Sequence, residues 1–575
     1  MESEPQTAPT AEAIEQAAGH FQSGKLDEAE RLCREMLQAF PDSARVLHLL
    51  GLVAHGLGKP ELALESLQKA ARFDASDPTL LNNLGEFYRA SNQPENAEKS
   101  YRGALALNPE YAEAHSNLAL LTHSLGKLEQ SAQHFVNLGA ILEKSGRRVE
   151  AEQAYRNAIV VNPDHSAAHH GLGRTLLIFG RMEESEQHLR WALALKPESV
   201  EPYHDLGIMM LRLCRYEDAE QCFREALAIK PGYTLAAFAL SLSLLARGDY
   251  RTGLPLYENR FEGGDPSYTE STRAFLKQTE GIPRWQPGVD ITGKSLLIWT
   301  DQGLGDSLMT ARYLPQLRRL GLKRTVVYCD LALARLMRTV VGIDEVVSKD
   351  LPPPFGTFDY HCPIMSLPLL FDTRLETIPN DMPYIRVPAE LNRAWAERLA
   401  DVPRPRVGLV WAGGKLFRDD PIQTRSIGLA RLAPLLKVTG VSFVSLQKEK
   451  EDEAAPVGKL PAMFDCMGEC VDLLDTAALM EQLDLVISVD SAPAHLAGTL
   501  GKPVWLLLRF EGEWRWMLNR EDSIWYPTAR LFRQVKAGEW GDVIREAAAA
   551  LKTFATGYAP HKHSRLRHVF GLWRG

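Results

Sequence analysis

The chain has 575 residues, of which 73 are acidic and 65 basic, for a formal net charge of −8, and 45% are hydrophobic. That length exceeds what one hydrophobic core supports, so two to four domains are expected, and the acidic balance gives no whole-chain reason to bind nucleic acid. No run reaches the ~18 apolar residues of a membrane helix, and the acidic start lacks the basic-then-apolar order of a secretory signal, so a cytoplasmic protein with no membrane span is expected.

From residue 10 to 262 the dominant signal is a repeat. Leu-Gly pairs place glycine at Gly51, Gly85, Gly139, Gly173 and Gly207, with spacings of 34, 54, 34 and 34. A small residue follows 12 positions after each glycine, at Ala63, Ala97, Ala151, Ser185 and Ala219. Prolines fall at Pro109, Pro163, Pro197 and Pro231, where each ends a helix before the next begins. Bulky residues recur at one register position, Tyr101, Tyr155, Leu189 and Phe223, and are expected to fill the groove between paired helices. The pattern predicts a solenoid of about six or seven helical hairpins. The 54-residue interval marks an irregular unit near 112–131, read as an extra helix or a fused helix pair. The stretch 234–262 reads as a degenerate capping repeat that meets another domain.

Such a solenoid presents a concave surface suited to an extended peptide. Asn83, Asn117, Asn137 and Asp205 stand just before the Leu-Gly or Leu-Ala pairs, and an asparagine amide can both donate to and accept from a peptide backbone. His165, His169 and His170 read as a solvated repeat edge, and the seven cysteines, with no zinc-like spacing, as reduced thiols; no metal centre is expected.

Residues 263–293 lose the helical period to Gly, Pro, Ser and Thr and read as a linker. Short β-rich runs then alternate with helical segments, the mark of a parallel-sheet α/β domain. Strands are expected at Ser295–Thr300, Arg324–Cys329, Arg406–Trp411, Val441–Leu446, Leu485–Val489 and Pro503–Leu508, with a helix from about Ser307 to Arg319 after the first. Two such series separated by a Pro-rich region, Pro352 to Pro388, predict two lobes, 294–388 and 389–556, that face a cleft at the carboxyl ends of the strands. The basic tail 557–575 is assigned no role.

Three motifs lie at those strand ends. Asp301-Gln302-Gly303-Leu304-Gly305-Asp306 is a glycine turn that puts Asp306 at a helix start, as an N-cap or as an acceptor of a proton. Gly413 and Gly414 lead into Lys415, Arg418 and Arg425, a cationic loop suited to phosphate. Asp490, Ser491 and Ala492 open a helix whose N–H groups form an anion site, and His495 lies one turn on.

The set GLGD, WAGG, RSI, VISVDSAPAHLAG and GKPVWLLL resembles the heptosyltransferase group, glycosyltransferase family 9. The whole chain is similar to bacterial proteins in which tetratricopeptide repeats precede such a domain, sharing Trp514-Arg515-Trp516, Trp525-Tyr526-Pro527 and Arg530-Leu531-Phe532-Arg533. The architecture also resembles O-GlcNAc transferases and flagellin glycosyltransferases. The resemblance implies a repeat superhelix followed by a GT-B fold of two Rossmann-like lobes. It implies Asp306 as catalytic base, Arg425 where a phosphate-binding lysine is usual, and Asp490, Ser491 and His495 at the donor pyrophosphate and sugar. Gln447 and Glu449 would meet the nucleoside, while Asn83, Asn117, Asn137 and Asp205 would line the peptide groove. The tryptophans at 514, 516 and 525 read as interlobe packing. The implied activity is metal-independent, cofactor-free, inverting transfer from a nucleotide-sugar to a protein hydroxyl, with flagellin the leading acceptor. A repeat scaffold with an inactive transferase domain, or transfer to a lipid-linked saccharide, are the alternatives.

Overall fold

The computed structural model describes residues 9–262, 270–353, 356, 358–413, 425–448 and 463–558, which fall into two compact units, 1–205 and 206–575. The first unit is a succession of helical pairs. Each pair turns through left-handed backbone, at Gly24, Gly58, Asn92, Gly126, Gly146 and Gly180, with φ between 55° and 77°. Glycine supplies that conformation without steric cost, and Asn is the side chain that tolerates it best. The small residue of each hairpin lets the bulky residue opposite close in. A Cβ added at Gly85 would lie 2.6 Å from the Tyr101 ring, and one at Gly139 would lie 2.6 Å from Tyr155.

The irregular interval is a fused helix, Leu128–Lys144, of 17 residues. Its first half completes the pair begun by Ala112–Ser124: Ser131 Oγ donates to Ala119 O at 2.7 Å, just as Ser185 Oγ donates to Gly173 O at 2.7 Å in a later pair. Its second half carries Gly139 and begins the next pair, with Arg148–Val161.

The second unit opens with the last repeat helices, Tyr216–Ile229, Thr234–Ala246 and Tyr250–Tyr257, followed by a short 3-10 turn, Glu258–Phe261. Two all-parallel sheets follow. The first has the order β3-β2-β1-β4, from β1 (Ser295–Trp299), β2 (Arg324–Cys329), β3 (Glu345–Ser348) and β4 (Tyr360–Pro363). The second has the order β10-β9-β8-β5-β6-β7. Its strands are β5 (Arg406–Val410), β6 (Ser442–Ser445), β7 (Phe464–Asp465), β8 (Leu485–Val489), β9 (Val504–Leu508) and β10 (Ala529–Arg533). This parallel-sheet architecture is consistent with a GT-B transferase domain.

Tyr216, Leu245, Tyr250, Leu254 and Tyr257 belong to one buried cluster with both sheets, so the last repeats share the transferase core. That is why the compact division falls at residue 205 and not in the stretch 263–293. That stretch is no featureless linker. It holds the helix Glu270–Gln278, whose Phe275 packs on Trp299 and Tyr328, and it runs on to Trp285, whose N–H donates to His361 O at 2.9 Å. The Pro-rich region contains β4, which pairs with β1.

Candidate functional site

The glycine loop after β1 starts its helix earlier than the sequence suggests, at Leu304 and not Ser307, and the helix ends at Thr310. Asp306 is therefore not the N-cap: it sits three positions past Gly303, and its Oδ2 accepts the Gly303 N–H at 3.1 Å. Its Oδ1 pairs with the Arg515 guanidinium, and Arg515 also pairs with Glu513 and lies 4.5 Å over the Trp514 ring. Burial pushes the Asp306 carboxyl up, and the Arg515 cation opposes it without prevailing. Glu513 is also pushed up by burial.

The second wall is the helix start after β8. Ser491 is the N-cap of Ala492–Thr499, with Pro493 in the first turn, as the motif predicts. The Ser491 hydroxyl does not cap; it donates to Val489 O at 3.0 Å and lies 3.0 Å from Ser488 Oγ. Arg425 Nη1 stands 3.7 Å from Asp490 Oδ2. Burial works to raise the Asp490 carboxyl, but the Arg425 charge together with His495, Trp516 and Arg515 holds the group below its ordinary value. His495 is 4% exposed and is pushed down to about 3 by burial, so it is neutral at physiological pH. Its Nδ1 lies 2.9 Å from Tyr526 OH. The two walls touch here: a Cβ on Gly305 would be 2.6 Å from His495 Cδ2, so only glycine permits the approach.

Beside the second wall, at the carboxyl ends of β8 and β9, lies a small pocket lined by Arg425, Asp490, Arg509, Glu511, Glu513, Trp516, Arg533 and Trp540 among others. Arg533 donates through Nη2 to Met517 O at 2.6 Å, while its buried Nη1 has no hydrogen-bond partner among the described residues. Arg509, Glu513, Arg515 and Arg533 are not among the sequence-predicted site residues. The Trp-Arg-Trp run draws attention as packing, and nothing local says that Arg515 meets Asp306.

Of the other expected residues, Gly413 lies against this wall, its Cβ position 3.3 Å from Asp490 O, and Gly414, Lys415 and Glu449 lie outside the described residues. Gln447 is buried, and its Oε1 accepts the N–H groups of Trp411 at 3.2 Å and Ala412 at 2.9 Å, so it braces the glycine loop. Trp514, Trp516 and Trp525 are buried, Trp514 edge-on to Tyr250 and Tyr257 and Trp525 stacked on Tyr250.

In the repeats, three of the four groove positions form rungs between the first helices of successive pairs. Asn83 Nδ2 is 3.0 Å from His48 Nε2, Asn117 Nδ2 donates to Asn82 Oδ1 at 3.0 Å, and Asp205 Oδ2 is 2.8 Å from His170 Nε2. Asn137 accepts from Gln133 at 2.9 Å. His165 and His169 are buried, not solvated as expected, and His169 Nε2 lies 2.8 Å from Pro163 O.

Residues 429–508 match the profile of Glycosyltransferase family 9 (heptosyltransferase). Tetratricopeptide profiles match 20–85, 85–126, 136–200 and 200–233. The chain is similar to Protein FlbA of Caulobacter vibrioides, 29% identical across 94% of this chain and 83% of that one. Shorter likenesses are to the peroxisomal targeting signal receptor of Candida glabrata, 25% identical over 24% of each chain, and to human Protein O-mannosyl-transferase TMTC1, 26% identical over 26% of this chain and 15% of that one. Tetratricopeptide repeats are thus fused to a glycosyltransferase family 9 domain, and the protein is a nucleotide-sugar-dependent glycosyltransferase.

Proposed function

We propose that the protein transfers a sugar from a nucleotide-sugar to a hydroxyl of a protein acceptor held by the repeats, with inversion and without a metal or cofactor. The observation that carries the reading is a carboxyl raised by burial, Asp306, paired with the Arg515 cation where its glycine loop meets the helix that carries His495. In this reading the acceptor hydroxyl gives its proton to the Asp306 carboxylate and its oxygen attacks the anomeric carbon. The bond from that carbon to the phosphate oxygen breaks, and the nucleotide leaves from the opposite face. Arg425, Arg509 and Arg533 supply positive charge where the departing phosphate develops its negative charge. Gly413, Gly414, Lys415, Asp490, Ser491, Ala492 and His495 complete the donor site, with Gln447 and Glu449 toward the nucleoside. Asn83, Asn117 and Asp205 contact acceptor backbone by exchanging their rung partners, and Asn137 by exchanging Gln133. A cytoplasmic reaction on flagellin is the specific form of the reading.

The test is nucleotide release from a panel of sugar nucleotides in the presence of purified flagellin, with the intact mass of the flagellin as second readout. Asp306→Asn is expected to lower turnover by about 10²–10⁴-fold. One observation favours a scaffold instead: the Asp306 carboxylate is already paired with Arg515. No release from any donor, with flagellin mass unchanged, selects the scaffold.

A further inference from the structure

The repeat turns show one departure. Where the other hairpins place Gly or Asn in left-handed backbone, the last hairpin but one before the sheets places Cys214, at φ 57°. A side chain there costs stability, and such strain persists only when the surroundings enforce it. Here Cys214 Sγ donates to Phe510 O at 3.3 Å, and two residues on Tyr216 OH donates to Gly512 O at 3.2 Å. Both grip the segment that goes on to Glu513 and Arg515.

The final repeat holds the opposite arm. Tyr257 OH donates to Gln302 Oε1 at 2.8 Å, and the fully buried Arg260 donates through Nε to Asp301 Oδ2 at 3.0 Å. Asp301 and Gln302 lead directly into Gly303, whose N–H fixes Asp306. The two arms gripped by the repeats are thus the two that meet in the Asp306–Arg515 pair.

We propose that the last repeats belong to the catalytic apparatus: Tyr257 and Arg260 position the Asp306 loop, and Tyr216 positions the Arg515 segment. As a claim about catalysis this rests on the transfer reading above; as a claim about what holds the loop it stands apart from it.

The experiment uses the full-length chain with Tyr257→Phe and Tyr216→Phe, each of which removes one hydroxyl and keeps the ring. Amide hydrogen exchange in peptides covering 301–307 is expected to rise about fivefold in Tyr257→Phe, the loss of one net hydrogen bond, and in 510–517 by a similar factor in Tyr216→Phe. Exchange in the repeats before residue 205 stays unchanged in both. With whichever sugar nucleotide the panel identifies, kcat falls about tenfold while the donor KM stays within about twofold, as expected when the reacting groups are displaced but the donor site is intact. Unchanged exchange at both sites overturns the positioning claim, as does a raised KM at constant kcat. A wild-type chain that turns over no donor refutes transfer, and the exchange data still decide whether the repeats hold the loop.

Discussion

Asp306 and Arg515 oppose one another in a way that pH can read. In the proposed reaction the base, Asp306, must be ionised to accept a proton, so turnover is expected to fall as pH drops through its pKa. Burial raises that pKa, which places the acidic limb of kcat/KM above the ordinary carboxylate value of ~4. Arg515 pulls in the other direction, so Arg515→Gln is expected to move the limb to still higher pH as well as to lower kcat. A pH–rate profile of the two proteins checks this; a limb that stays put or moves to lower pH refutes the role given to Arg515. At this scale the sequence was half legible. The Asp306 turn and the Asp490–His495 helix start announce themselves because each is a contiguous motif on a strand end. Arg515 does not, because its meaning depends on Asp306, far off in the chain, and Glu513 draws its meaning from Arg515. His495 shows the converse: its register is readable, but its walling-in by Gly305 and Tyr526 is a product of packing.

The helical pair is the element on which the solenoid depends, and two glycines one fold-class apart in role test it. Gly85 faces the Tyr101 ring with no room for a Cβ, whereas Gly19, inside Ala11–Gln22, has nothing within 4 Å. Gly85→Val is expected to destabilise the repeats by about 1–3 kcal/mol through overpacking. Gly19→Ala is expected to stabilise them by about 0.5–1 kcal/mol, the backbone-entropy gain of a helix interior. Urea unfolding followed by far-ultraviolet circular dichroism reads both, and equal shifts of the same sign refute the packing account. Helices were legible here because several register positions recur together. The fused helix Leu128–Lys144 could be inferred from its 20-residue excess over one repeat. β4 was missed because Tyr360–Pro363 is four residues long and embedded among prolines, so only its pairing with β1 reveals it. The helix Glu270–Gln278 was missed because Gly, Pro, Ser and Thr on either side outweighed its short pattern.

For the whole molecule, the seam between compact units at residue 205 makes a prediction that composition alone would place differently. Of the eleven tryptophans only Trp191 precedes that seam, so indole emission reports chiefly on the second unit. Leu245 and Leu67 are both 0% exposed repeat residues, but only Leu245 lies in the core shared with the sheets. Leu245→Ala is expected to lower the stability seen by tryptophan emission by about 2–5 kcal/mol. Leu67→Ala is expected to leave that transition in place while lowering the helical one; a shift of the emission midpoint by Leu67→Ala would refute the division. The seam also bears on how such chains diversify. Recombination that adds or deletes whole 34-residue units upstream of Leu206 leaves every hydroxyl and guanidinium that steadies Asp306 where it was. A crossover in the glycine- and proline-rich stretch, which looks the natural place to cut, would instead graft a foreign floor beneath the reaction. In the proposed reading, acceptor choice would then drift by cassette exchange while the chemistry is inherited intact, together with the last hairpins.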